Sequence, residues 1–351
     1  MNNLNNNIFC GMSGGVDSSA AALLLQNAGY NVIGATMVLH NENTKEKEEA
    51  DILAAKKICD RLNISHNVLN LKKEFKLFVI DDFINKYKNG LTPNPCIECN
   101  RNLKFGLMFD IAKEYDCKKI ATGHYAKIEK YGDRFLLKKP KDLSKDQTYV
   151  LFMLTQEQLK NIVFPLGDYT KPEIRELTAS LNFENANTKD SQDICFIPNG
   201  NYVEFLNKEN LFGENGNFLD INENIIGKHS GIINYTIGQR KGLNVSFGKP
   251  MYVIDKNPHN NTIMLGDNTD LFKTRVEVKN VSFSAFEKFT NELEVFARLR
   301  YNSKEAKAKL NVLDNGNFVL DFDEPQRAVT PGQYAVFYDG DICLGGGEIV
   351  R

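Results

Sequence analysis

Cys96 and Cys99 stand one helical turn apart in "NPCIECNR", behind Pro93 and Pro95, and Cys195 lies far downstream in "DSQDICFIP". A thiolate is at once a nucleophile, a partner in disulfide exchange and a soft metal ligand. The pair therefore admits three readings: half of a zinc clasp, a dithiol redox couple, or part of a catalytic site completed from elsewhere. A structural zinc site ordinarily takes four ligands, and the sequence has no second C-x-x-C. Cys195, between Ile194 and Phe196, would on those neighbours alone be a small core residue.

A second constellation lies near the start. "SGGVDSS", Ser13 to Ser19, joins an apolar run to a helical one. Gly14 and Gly15 remove the side chains that would keep a phosphate from the backbone, and the helix start offers unpaired N–H groups and a positive dipole end. The stretch reads as a phosphate cradle, against the plainer reading of a glycine turn with Asp17 and Ser18 capping the helix. It is not a Walker A loop, because G-x-x-x-x-G-K-[ST] is absent.

Alternating strands and helices must position these groups. "NIFCGMS" predicts a buried strand, "VDSSAAALLLQNAGY" a helix ending near Gly29, "NVIGATMVL" a second strand and residues 45–62 a second helix. "HNVLNL" then predicts a third strand, 73–88 a third helix, 101–115 a fourth, and "KKIATGHYAKI" another strand. This pattern implies an α/β fold with a doubly wound parallel sheet, whose ligands bind at the carboxyl ends of the strands. "GMSGG", "TMVL" and "TGHY" all fall there. Beyond about residue 200 the pattern becomes short β runs punctuated by Gly and Asn, with "MYVIDKNPHNNTIML" a hairpin and about six strands from 275 onward. In "ELEVFARLR", Leu293, Val295, Ala297 and Leu299 alternate with outward residues, so one face can fill a barrel. The expected division is 1–204 for the α/β domain, 205–274 for a small β-rich middle domain and 275–351 for a C-terminal β-barrel.

Composition bounds the partners. An odd total of seven cysteines argues against a secreted disulfide framework and for reduced thiols. No apolar run of membrane length and no secretory signal is seen, so a cytoplasmic location is expected. With 43 basic and 45 acidic side chains the net charge of −2 gives no global pull on nucleic acid. Two local stretches are basic, Lys127–Lys145 and Arg298–Lys309, and read either as solvated faces or as an RNA surface.

"SGGVDSS" resembles the PP-loop of the ATP pyrophosphatases, which cleave ATP between the α- and β-phosphates and activate a carbonyl oxygen as its adenylate. The resemblance implies that Gly11, Met12, Ser13, Gly14, Gly15, Val16, Asp17 and Ser18 bind ATP with Mg2+. Met37 and Gly123 match positions that enclose the adenosine. "TPNPCIECN", "ATGHYA", "SKDQTY", "DSQDICFIP", "YTIGQRKGL", "TPGQYAVFY" and "CLGGG" moreover occur in the order found in the tRNA-specific 2-thiouridylases of the MnmA type, a resemblance spanning nearly the whole chain.

That resemblance implies adenylation of the 2-carbonyl of the wobble uridine of glutamate, glutamine and lysine tRNAs, followed by replacement of the oxygen with persulfide sulfur. Cys195 matches the persulfide carrier and Cys99 the second catalytic cysteine. Asn94, Pro95 and Cys96 would line the flipped-out base. His124, Lys145, Asp146, Gln147, Arg300, Tyr301 and Gln333 match tRNA contacts, and Arg240 and Lys241 are further phosphate candidates. The implied partners are tRNA and a persulfide donor, with no membrane. Several family members have aspartate where this chain has Cys96. The alternative implied by a third thiol is an iron–sulfur cluster on Cys96, Cys99 and Cys195.

Overall fold

The computed structural model describes residues 6–40, 45–180, 194–197, 200–243, 248–289 and 292–351. Asp190 to Asp193 of "DSQDICFIP" therefore lie outside the described residues, whereas Cys195 lies within them.

Seven strands precede residue 164: β1 (Asn7–Gly11), β2 (Asn31–Val38), β3 (Ser65–Asn70), β4 (Lys119–Ala121), β5 (Lys127–Tyr131), β6 (Arg134–Lys138) and β7 (Ile162–Val163). Five of them pair in parallel in the order β3-β2-β1-β4-β7. Helices cover both faces: α1 (Val16–Asn27), α2 (Lys45–Arg61), α3 (Lys72–Phe75), α4 (Asp81–Lys88), α5 (Pro95–Glu98), α6 (Met108–Glu114), α7 (Gln156–Asn161) and α8 (Lys171–Ser180). On β1, Ile8 and Cys10 are buried with Ala20, Leu25 and Ile58 on one side, and Phe9 with Phe105, Met108 and Ile120 on the other. A strand covered on both faces must be apolar throughout, which is why "IFC" shows no alternation. The strand order reverses direction between β1 and β4, so the crevice of the doubly wound sheet opens at their carboxyl ends.

Two expectations change. The helix expected over 101–115 begins earlier, at Pro95, because the Asn94 side chain accepts from the Cys96 N–H at 3.2 Å and proline suits the first helical position. Between α5 and α6 the helix widens into a π-helical stretch, Cys99–Leu107, as it does more briefly at Lys76–Ile80 between α3 and α4. "KKIATGHYAKI" is not one strand: β4 ends at Ala121, and the chain crosses over to β5, which pairs with β6 in a different sheet.

After α9 (Tyr202–Lys208) come β8 (Gly216–Leu219), β9 (Ile225–His229), β10 (Tyr252–Asn257) and β11 (Thr262–Gly266), a four-stranded sheet in the order β10-β11-β8-β9 that includes the expected hairpin. The C-terminal strands are β12 (Phe272–Phe283), β13 (Glu292–Arg298), β14 (Ala306–Val312), β15 (Phe318–Arg327), β16 (Tyr334–Asp339) and β17 (Ile342–Ile349). They run β12-β15-β14-β13-β16-β17 and close through a β12–β17 pairing, which removes the open edges. Val295, Ala297 and Leu299 are buried inside, as their alternation requires. The β5–β6 hairpin joins this barrel through β17, with Cys343 opposite Leu137. No helix among the described residues is long and apolar enough to cross a membrane.

Candidate active site

The turn between β1 and α1 is built from its own side chains. Ser18 Oγ donates to the Gly15 carbonyl at 3.0 Å and accepts from the Ser13 N–H at 3.2 Å. Gly14 adopts φ +76°, and a Cβ there would come within 3.1 Å of Ala54 in α2, so glycine is required twice over. Gly15 precedes the first turn of α1 with extended dihedrals and no side chain over the exposed N–H groups. A phosphate could meet this backbone directly. Gly123 lies against the same helix start: a Cβ on it would stand 2.8 Å from the Asp17 carbonyl carbon and 2.9 Å from the Ser18 nitrogen. Met37 is half-buried on β2, whose neighbour Thr36 donates or accepts at 2.8 Å with His66.

Asp17 projects from the first turn of α1, yet its carboxylate is held by Lys171 and Tyr125, neither of which the sequence reading singled out. Lys171 Nζ donates to both oxygens and the Tyr125 hydroxyl to Oδ1. Lys171 opens α8 and is buried, while about a third of the Asp17 side chain is exposed. No local pattern marks "DYTKPE" or "GHYA" for this role, because the contact spans more than a hundred residues.

The thiols form the second half. Asn94 caps α5, Cys96 is exposed and Cys99 buried at the entry to the π-helical stretch. Three groups of the C-terminal barrel fix this turn. Gln333 donates to the carbonyls of Thr92 at 2.8 Å and Pro93 at 3.2 Å, the Thr92 N–H donates to Pro331, and Tyr334 donates to the buried Glu98 at 2.7 Å. Cys195 is exposed, but burial pushes its thiol up to about 12, with the charges of Cys99 and Cys96 adding to the rise. Water reaches a thiol that neighbouring atoms nevertheless surround, as in a recess. Burial also raises Cys96 and Cys99, and Lys104 opposes the rise at all three. The two halves meet at "TGHY": Gly123 touches α1, and the next residue, buried His124, is held neutral by burial and by the Lys104 charge. Its Nδ1 lies 2.7 Å from the Thr122 hydroxyl.

The matched RNA-contact residues divide into two groups. Arg240, Lys241 and Tyr301 are exposed and Lys145 is half-exposed. Asp146 is instead buried, accepting from Thr148 and pairing with Arg298 at 3.0 Å, and Gln147 accepts from the Tyr125 N–H at 2.8 Å. The Arg300 guanidinium donates to the carbonyls of Ile237 and Ala328 and to the Thr330 hydroxyl, tying the segment between β9 and β10 to the barrel. The basic excess counted along the sequence also shrinks in space. Lys127, Lys138, Lys139 and Lys141 pair with Asp168, Glu129, Glu305 and Glu173. Glu305 bridges Lys139 and Arg298, so the two basic stretches adjoin. The exposed pairs of Lys127 and Lys141 contribute about 0–1 kcal/mol each to stability, but all four lower the local charge.

An iron–sulfur cluster on Cys96, Cys99 and Cys195 is not supported. Among the described residues no group of three or more His, Cys, Asp or Glu side chains is arranged to hold a metal ion. The seven cysteines are free thiols.

Residues 6–199 match the family described as the tRNA methyl transferase HUP domain, 203–267 the tRNA methyl transferase PRC-barrel domain and 273–349 the aminomethyltransferase β-barrel domain. These define an ATP-using PP-loop enzyme of the tRNA-modifying class. A protein of Clostridium botulinum (strain Alaska E43 / Type E3) named tRNA-specific 2-thiouridylase MnmA is 46% identical over 351 residues, covering 97% of each chain. One of Clostridioides difficile (strain 630) with the same name is 46% identical over 357 residues, covering 99% of each. The chain belongs to the tRNA-specific 2-thiouridylase family, the tRNA-uridine 2-sulfurtransferases.

Proposed function

We propose that this protein replaces the 2-oxygen of the wobble uridine in glutamate, glutamine and lysine tRNAs with sulfur carried as a persulfide on Cys195. The observation that supports this most is that Phe196 and Ile194, on either side of Cys195, pack in the same core cluster as Cys99, which brings thiols distant in sequence within reach of each other's charge. ATP, when bound, supplies the AMP group that converts the uridine oxygen into a leaving group. Gly11 to Ser18 would receive its phosphates, Met37 and Gly123 would border the adenosine, and Asp17 would offer Mg2+ an oxygen by exchanging its bond to Lys171. Asn94, Pro95 and Cys96 receive the flipped base.

Cys99 as thiolate attacks the Cys195 sulfur of the persulfide. A Cys99–Cys195 disulfide forms, the bond to the outer sulfur breaks, and hydrosulfide leaves to attack C2 as AMP departs. An external dithiol then reduces the disulfide, and a persulfide donor reloads Cys195. The 1–204 unit is assigned to catalysis, while 205–274 and 275–351 hold tRNA. Arg240, Lys241, Lys145 and Tyr301 serve as outward contacts. His124, Asp146, Gln147, Arg300 and Gln333 act by fixing the surfaces around them. A cytoplasmic location fits free thiols.

The test is reconstitution with ATP, Mg2+, a persulfide donor and unmodified tRNA, with nucleosides read by mass spectrometry. One AMP and one pyrophosphate per 2-thiouridine is the expected result. AMP release without thiouridine would point instead to a different adenylation chemistry.

A further inference from the structure

Lys104 stands one π turn beyond Cys99 on the Cys99–Leu107 stretch, because a π helix brings residues five apart together. It is half-buried. Other lysines with little exposure have partners: Lys86 pairs with Asp82, Lys139 with Glu305 and Lys171 with Asp17, and Lys256 donates to the Tyr235 carbonyl. Among the described residues Lys104 has no hydrogen-bonding or ion-pair partner. The groups that feel its charge are Cys96, Cys99, Cys195 and His124. Tyr301, from the barrel, feels Cys96, and His124 is neutral, so the described surroundings bring no second cation to Cys99 or Cys195. Leaving a lysine half-desolvated without a counter-ion costs stability, which makes sense where an anion forms transiently.

We propose that Lys104 is a positioning residue for sulfur transfer, its ammonium balancing the single negative charge that moves between the Cys195 persulfide and the Cys99 thiolate. One cation cannot offset three anions, so the thiols ionise one at a time. Charge leaving Cys195 as hydrosulfide goes out is replaced by none, and the disulfide that remains is neutral. Lys104 therefore favours the ionised, reactive form before transfer and has no hold on the product. This inference rests on the thiol relay proposed above.

The test measures thiol ionisation rather than turnover. Wild-type, Lys104→Met and Lys104→Arg proteins are alkylated with iodoacetamide from pH 6 to 10, and the labelled peptides of Cys96, Cys99 and Cys195 are quantified separately. An opposite charge at close range lowers a pKa by about a unit or more, so alkylation of Cys99 and Cys195 at pH 7.5 should slow about fivefold in Lys104→Met and recover in Lys104→Arg. Equal pH profiles in the three proteins overturn the proposal. If Lys104→Met does not fold, Lys104→Gln in its place is compared with Lys104→Arg by the same criterion. The relay reading fails separately, through Cys99→Ser and Cys195→Ser variants that still thiolate tRNA, whatever Lys104 does to the profiles.

Discussion

Lys171 Nζ lies 2.7 Å from Asp17 Oδ1 and 2.8 Å from Oδ2, so the carboxylate of the turn between β1 and α1 is neutralised by an ammonium from α8, on a distant part of the chain. Tyr125 adds a third bond at 2.9 Å and itself follows His124. The clamp links the loop to the segment after β4 that carries Gly123.

Removing that carboxylate should separate nucleotide chemistry from RNA binding. Asp17→Asn keeps the volume and is expected to reduce AMP formation at least about 100-fold while tRNA affinity changes less than about threefold, since the residues proposed to contact RNA lie elsewhere. Unfolding stability should fall by about 1–3 kcal/mol because Lys171 loses its counter-ion. AMP release at the normal rate would remove Asp17 from the nucleotide site.

Serine substitutions should assign the sulfur roles. Cys195→Ser should carry no persulfide, whereas Cys99→Ser should load sulfur at Cys195 and transfer it poorly, because holding sulfur and expelling it are separate steps. Peptide mass analysis after thiol trapping checks this. Persulfide found mainly on Cys99 would reverse the assignment.

Cys96 is the cysteine that a two-thiol relay does not need. Cys96→Asp should retain substantial thiolation and Cys96→Ser should lose at most a moderate part of it. Protein purified without air should contain no stoichiometric iron or sulfide. Iron whose loss abolishes thiolation would overturn this expectation.

Two arginines should behave differently. Arg240→Ala removes an exposed charge and should reduce the salt slope of tRNA binding by about one unit, leaving thermal stability unchanged. Arg300→Ala should instead lower the unfolding temperature, because the carbonyls of Ile237 and Ala328 lose a shared donor. A salt slope altered equally in both variants would show that Arg300 reaches the RNA.

Lys256 offers a pH test. It is buried in β10, donating to the Tyr235 carbonyl at 2.8 Å, and burial brings its pKa down from the usual 10.5 to about 7. Between these values the unfolded chain holds a proton that the folded chain has released, so stability should rise with pH across that window, at about 1 kcal/mol per pH unit. Denaturant titrations at pH 7, 8 and 9 should show the rise, and Lys256→Met should flatten it.

The local signals in the sequence were those of short range. The run into "SGGVDSS", the alternation in "ELEVFARLR" and the hairpin at Pro258 each follow from neighbouring residues, and the parallel sheet and six-stranded barrel follow from them. What stayed hidden depends on distant partners. Counting Lys and Arg between 127 and 145 could not reveal that Asp168, Glu173 and Glu305 fold back onto them. The start of α5 at Pro95 was missed, with the helix expected only from 101, although the Asn-Pro pair signals it, and the π-helical widening after Cys99 has no signature in residue type. Lys171, Tyr125 and Lys104 matter through contacts or fields that only the folded chain creates.

Gln333 and Tyr334 are adjacent in sequence, and between them they grip the carbonyls before Cys96 and the carboxylate after it. The barrel is thus part of the frame of the turn that carries Cys96 and Cys99, not a module appended to it. Such an arrangement resists modular exchange: a different C-terminal domain grafted at residue 275 would bring its own surface but not these two side chains, so the barrel and the α/β domain are not separately replaceable.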